Sequence, residues 1–235
     1  MFELLFAFYL VIVMPARALW RSFRPRPPGP PDPPAPRLRG YWRRGRYIGL
    51  LLAVLCAVEW QAGRTLADLG LDIPLSRAGA WGLIGAVGVL TVLHVAGLLW
   101  ERRMTPAARA AQARKLEDGM PWPVTRAETA GFVAWMVLMC TAWEVLYRGF
   151  LLLVLAPLCG VPLATVAAAL AYGAGHGYKS RAQFIGAIVS AFVFTLAYVW
   201  TGSLWWLILI HVVMPLAGLW GVRRVRRLGL SAQAA

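Results

Sequence analysis

The stretch Trp143-Glu144-Val145-Leu146-Tyr147-Arg148-Gly149-Phe150 sets a carboxylate and a guanidinium four residues apart inside a strongly apolar region. On a helix, residues i and i+4 lie one above the other on the same face. A lone charge at membrane depth is costly, whereas a paired charge facing the protein interior is tolerated and marks function. The apolar spans that follow carry two other groups of comparable chemical reach, His176 and His211. The chain reads as a frame that holds Glu144, Arg148, His176 and His211 together.

Working outward, the composition is that of a membrane protein. Of 235 residues, 60% are hydrophobic and 14% charged, with a mean hydropathy of +0.62. A soluble domain carries about 25% charged residues, so the expected fold class is an all-α polytopic membrane protein. The net charge of +14 does not indicate nucleic acid, because the basic residues sit between apolar segments as orientation signals do. Cys56, Cys140 and Cys159 show no CxxC spacing and read as small buried hydrophobes rather than zinc ligands or disulfides.

Seven spans are expected. Residues 1–16 form a short first transmembrane helix, preceded by Glu3 rather than by the positive region of a signal peptide. Residues 17–46 form a Pro/Arg-rich cytoplasmic linker whose proline run is extended. Residues 47–126 hold two spans, Tyr47 to Ala62 and Ala78 to Trp100, joined by a short exposed connection and followed by a basic loop or surface helix. The end of that loop, Met120-Pro121-Trp122-Pro123, reads as a turn with an interfacial tryptophan. Residues 127–221 form the core, whose first apolar stretch, Ala127 to Leu158, is too long for one straight crossing and has bend points at Gly149 and Pro157. Three more spans follow, Val161 to Gly177, Ala182 to Trp200 and Leu204 to Gly221, and then a basic cytoplasmic tail, 222–235.

The charges test this count. Connections 17–46, 101–126, 178–181 and 222–235 carry 9, 6, 2 and 4 of the 24 basic residues, against Arg64 and Arg77 on the opposite side. So uneven a distribution puts these connections and the C-terminus in the cytoplasm. The chain is thus expected to be multi-pass in the cytoplasmic membrane, with the lipid bilayer as its first partner.

Within the core, no acidic residue follows Glu144 in the chain. Desolvation alone would leave its carboxyl protonated, and a neighbouring guanidinium favours the ionised form. Glu144 then has two readings, a general base that activates water or half of an ion pair that fixes the bundle. Tyr172 and His176 share a face in Tyr172-Gly173-Ala174-Gly175-His176, where small residues allow close helix approach. His211 sits mid-span, where an ionisable residue is a functional candidate. His94 has no polar companion at helical spacing and is read as packing.

The order of these elements resembles the CAAX-processing and bacteriocin-processing (CPBP, Abi) family of intramembrane proteases. The likeness covers roughly residues 127–221: a Glu-x-x-x-Arg-Gly helix, an aromatic-x-x-x-His helix, and a Thr-Gly-Ser-Leu-Trp turn before a last span with a histidine. The resemblance implies that Glu144, His176 and His211 are catalytic and activate water for attack on a peptide carbonyl, with Arg148 and Tyr172 in support. Tyr172 stands where the family usually has phenylalanine. It implies no cofactor; if a divalent metal were bound, His176 and His211 would be its ligands. Two positions diverge. Trp143 replaces the first glutamate of the usual pair, and neighbouring helix residues point about 100° apart, so Glu144 does not inherit its place. Pro215 replaces an asparagine or aspartate and offers neither a side-chain donor nor a backbone N–H.

The expected function is therefore an intramembrane endopeptidase of a single-glutamate branch, cleaving a membrane-delivered protein or peptide. The alternative is a catalytically inactive relative that acts as a binding or chaperone-like partner. The Ala/Arg/Gly/Pro-heavy composition implies a bacterial genome, and hence a peptide or C-terminal sorting tail rather than a prenylated protein as substrate.

Overall fold

The computed structural model describes residues 1–24 and 37–227. The proline run of the linker and the end of the basic tail lie outside the described residues. Among them the fold is all helical. Helix α1 (Phe2–Phe8) runs through a π-helical turn, Tyr9–Val13, into α2 (Met14–Phe23). Then come α3 (Arg37–Gln61), α4 (Arg77–Arg103), α5 (Pro106–Glu117) and α6 (Arg126–Glu144). A second π-helical turn, Val145–Phe150, joins α6 to α7 (Leu151–Gly175), and α8 (Arg181–Thr201) and α9 (Trp205–Arg227) complete the chain.

The helix starts are written locally. Ser76, Thr105, Thr125 and Ser180 each accept a hydrogen bond from a backbone N–H of the first turn, supplying acceptors for donors that a helix leaves unpaired. Thr125 and Glu128 form a reciprocal capping box. Gly202 ends α8 with φ +63°, a conformation that glycine adopts without steric cost.

Five segments are long and apolar enough to cross a membrane: Phe2–Phe23, Arg77–Arg103, Arg126–Gly175, Arg181–Thr201 and Trp205–Arg227. The third is 50 residues long and divides in two at Gly160, whose φ is +81°. Helix α3 joins the bundle beside α6, but the five arginines among its first ten residues keep it out of that group.

Several expectations are corrected. The first span continues past Ala16 to Phe23, because Pro15 falls in the first turn of α2, directly after the π turn, where a missing N–H costs little. The described flanks of the 17–46 linker are helical, in α2 up to Phe23 and in α3 from Arg37. The long core stretch is shaped by the π turn and by Gly160, while Pro157 lies inside α7. The connection after α3 is not simply exposed: Leu69 is buried, and the Gly70 carbonyl accepts from the backbone N–H of Leu204. Trp122 is buried rather than interfacial, its indole N–H donating to the Leu116 carbonyl at 2.7 Å. Cys56 and Cys159 are exposed and only Cys140 is buried. His94 is also exposed, on α4, and is not packed.

The basic connections do gather at one end. Arg224 pairs with Glu101 and Arg226 with Glu117, both at about the same N–O separation, 2.8 and 2.9 Å. Tyr41 donates to the Pro121 carbonyl. The Tyr178 N–H donates to Ser22 Oγ at 2.9 Å, and Phe23 stacks on Tyr178. The opposite end holds the Arg64–Glu3 ion pair and the indole of Trp205 on the Asp72 carbonyl.

Candidate active site

The π turn forms the centre of the main core. Leu146, Tyr147, Phe150 and Leu151 are fully buried in it. Gly149 lies in the same turn, where a Cβ would come within 2.6 Å of the Leu69 carbonyl oxygen. The absent side chain lets the folded-back connection press directly on this helix. A π turn holds one more residue than an α turn, so everything beyond it is rotated by about 100°. This is the local device that sets the direction of Glu144 against the helix that follows.

Glu144 and Arg148 are 2% and 1% exposed and form a buried ion pair through Arg148 Nη1 and Glu144 Oε2. The other carboxylate oxygen, Oε1, lies 2.8 Å from His211 Nδ1 and 3.2 Å from the Tyr172 hydroxyl. Tyr172 Oη is in turn 3.1 Å from His211 Nδ1. The Arg148 guanidinium sits over the Tyr172 ring, 4.3 Å from its centroid, which adds a cation–π contact to the ion pair. Three helical elements, the α6–π segment, α7 and α9, thus meet at one carboxylate.

His176 occupies a different setting. It caps α7 and is exposed, with Nδ1 2.9 Å from the Tyr172 carbonyl one turn back. Its ring packs on Trp143, with centroids 4.7 Å apart. Trp143 also stacks on Tyr147 at 4.9 Å and meets Tyr172 edge-on. The structure therefore gathers Arg148, Tyr172 and His211 around Glu144 and reaches His176 through the Tyr172 carbonyl and aromatic rings. Pro215 lies one turn beyond His211 inside α9, where its ring leaves the His211 carbonyl without the usual i+4 donor. Among the described residues no group of three or more His, Cys, Asp or Glu side chains is placed to hold a metal ion.

Two contributions were missed from sequence. The Tyr172 hydroxyl does more than replace a phenylalanine, and its signal was the oxygen itself, which needs a partner when buried. The indole at 143 fills space against His176, a contact that its position next to Glu144 does not reveal.

Fold and site together define a polytopic α-helical membrane protein with a carboxylate–imidazole centre buried in its bundle. Residues 125–217 match the family model described as type II CAAX prenyl endopeptidase Rce1-like. Through this segment the chain is similar to that family; residues 1–124 and 218–235 lie outside the match. No curated protein and no solved structure matches the chain.

Proposed function

We propose that the protein is an intramembrane endopeptidase, a hydrolase that cleaves a peptide bond of a membrane-delivered protein or peptide with water activated by its glutamate–histidine set. The observation that carries this reading is the 2.8 Å contact between Glu144 Oε1 and His211 Nδ1, made inside the matched segment by residues 67 positions apart. A pair that only fixed packing would need Glu144 and Arg148 alone. Recruiting an imidazole from another helix places a second group able to take and give a proton beside the carboxylate. The family's activity and the separation of basic connections support a site in the cytoplasmic membrane with a cytoplasmic C-terminus. The reading uses no cofactor, and its substrate class is a peptide or C-terminal sorting tail rather than nucleic acid.

The test uses the full-length protein in lipid nanodiscs and internally quenched peptides ending in a CAAX sequence, with and without a farnesyl group. Cleavage that His211→Gln lowers by about 10²–10⁴-fold is expected. Trp143→Glu, which restores the usual acidic pair beside His176, is the control. Silence from the natural protein with cleavage gained by Trp143→Glu would make the natural chain an inactive binding relative.

A further inference from the structure

The proteolytic reading leaves open which atom takes the proton from water, and the geometry separates the two candidates. Glu144 is 2% exposed, and both of its oxygens are already engaged. Oε2 accepts from Arg148, while Oε1 faces His211 Nδ1 at 2.8 Å and the Tyr172 hydroxyl at 3.2 Å. A carboxylate has only acceptor lone pairs. Nδ1 must therefore carry a hydrogen to make the contact with Oε1, since a bare nitrogen there would oppose lone pair to lone pair. With Nδ1 protonated, the single hydroxyl hydrogen of Tyr172 is left for Oε1 as well. Three donors converge on one carboxylate of about four lone-pair sites. Both directions on Oε1 are taken, and the one left on Oε2 belongs to a residue only 2% exposed.

His211 has the opposite character. Its side chain is 26% exposed, and in a neutral ring with Nδ1–H the other nitrogen, Nε2, is bare. Nε2 lies across the ring from Nδ1 and so points away from Glu144. We infer that Nε2 of His211 is the catalytic base of this site and that Glu144 is a positioning residue, fixing the ring and its tautomer with help from Arg148 and Tyr172. This rests on the endopeptidase reading and revises the part Glu144 plays in it. The usual first glutamate is absent here, its place taken by the Trp143 indole, so the remaining carboxylate serves the imidazole instead of the water.

The step balances without a co-reactant. As the water oxygen bonds to the peptide carbonyl carbon, one water proton passes to Nε2, and the ring becomes an imidazolium beside the Glu144 carboxylate. When the carbon–nitrogen bond breaks, the Nε2 proton goes to the departing amine. The ring returns to its neutral form, and the products are a carboxylic acid and an amine. A buried carboxylate that orients a histidine through Nδ1–H and stabilises its cation is the arrangement used by the aspartate of serine protease triads.

The test reads the tautomer directly, by nitrogen NMR of the isotope-labelled full-length protein in lipid nanodiscs, with His211→Gln assigning one signal among the three histidines. The wild type is expected to show Nδ1 protonated and Nε2 bare, a result that needs no variant to fold. In Glu144→Gln the amide oxygen turns to Arg148 and the NH₂ to His211. The ring should then swap to Nε2–H, and cleavage of the quenched peptides should fall by about 10⁴-fold, as when a triad aspartate is amidated. A wild-type ring with Nε2 protonated, in a protein that cleaves, overturns the inference alone. So does a folded Glu144→Gln that keeps the wild-type tautomer and still loses cleavage, since the carboxylate itself would then be the base. The expected tautomer in a protein that cleaves no peptide overturns the endopeptidase reading, and the proton-transfer role with it.

Discussion

The two sides of the candidate site are built on opposite terms. On one side Glu144, Tyr172 and His211 are joined by hydrogen bonds of 2.8–3.2 Å, and Arg148 pairs with the same carboxylate through Nη1 while its Nε is left without a partner. On the other, Trp143, Tyr147 and His176 meet ring against ring, at centroid separations of 4.9 and 4.7 Å. The Trp143 indole nitrogen there is buried without a hydrogen-bond partner. In the first, energy resides in particular atoms, and deleting one strands its partners. In the second, it resides in shape, and the identity of a single atom matters little. Tyr172 belongs to both, with its hydroxyl in the network and its ring between the two histidines.

The harshest way to probe this contrast is Arg148→Ala. It leaves Glu144 buried without its counter-charge, which typically costs about 3–5 kcal/mol. Thermal unfolding in detergent should show a large loss, and a loss of less than about 1 kcal/mol would mean that the carboxylate simply takes up a proton. Tyr172→Phe is gentler. It keeps the ring, its packing and the guanidinium contact, and removes one donor to a carboxylate, for an expected loss of about 1.5–3 kcal/mol. An unchanged midpoint would move Tyr172 wholly into the shape-based half. The smallest effect belongs to Trp143. Exchanging its indole for a benzothiophene keeps the bicyclic outline and drops only the unpartnered N–H, so stability should hold or rise by about 1 kcal/mol. A clear loss would reveal a hydrogen bond on that nitrogen and erase the distinction between the halves.

Much of this site was legible from spacing alone. Glu144 and Arg148 are paired because four residues is one helical turn, and His211 joins them because a mid-span imidazole requires a partner. The gathering of basic connections at one end follows from where arginines interrupt apolar runs. What was not legible depends on contacts between distant segments. Neither Tyr9–Val13 nor Val145–Phe150 announces a π turn by composition. Leu69 is apolar in a connection, and only the bare face of Gly149 explains why it turns inward. Cys56 and Cys159 look like core residues because, in a chain facing lipid, apolar no longer means buried.

The Val145–Phe150 turn also bears on how such a site can arise or be lost. A helix with one surplus residue is what a single-codon insertion leaves behind when the helix on either side is too well packed to shift. Deleting one residue from this turn would relax it to an ordinary helix and swing Glu144 by about 100° relative to α7. It would then face away from Tyr172 and His211 with no other change in the sequence. In a chain where Trp143 stands in the place of an acidic neighbour, one residue of length thus separates two registers of the same helix, and it is the longer one that brings the remaining carboxylate to the histidine.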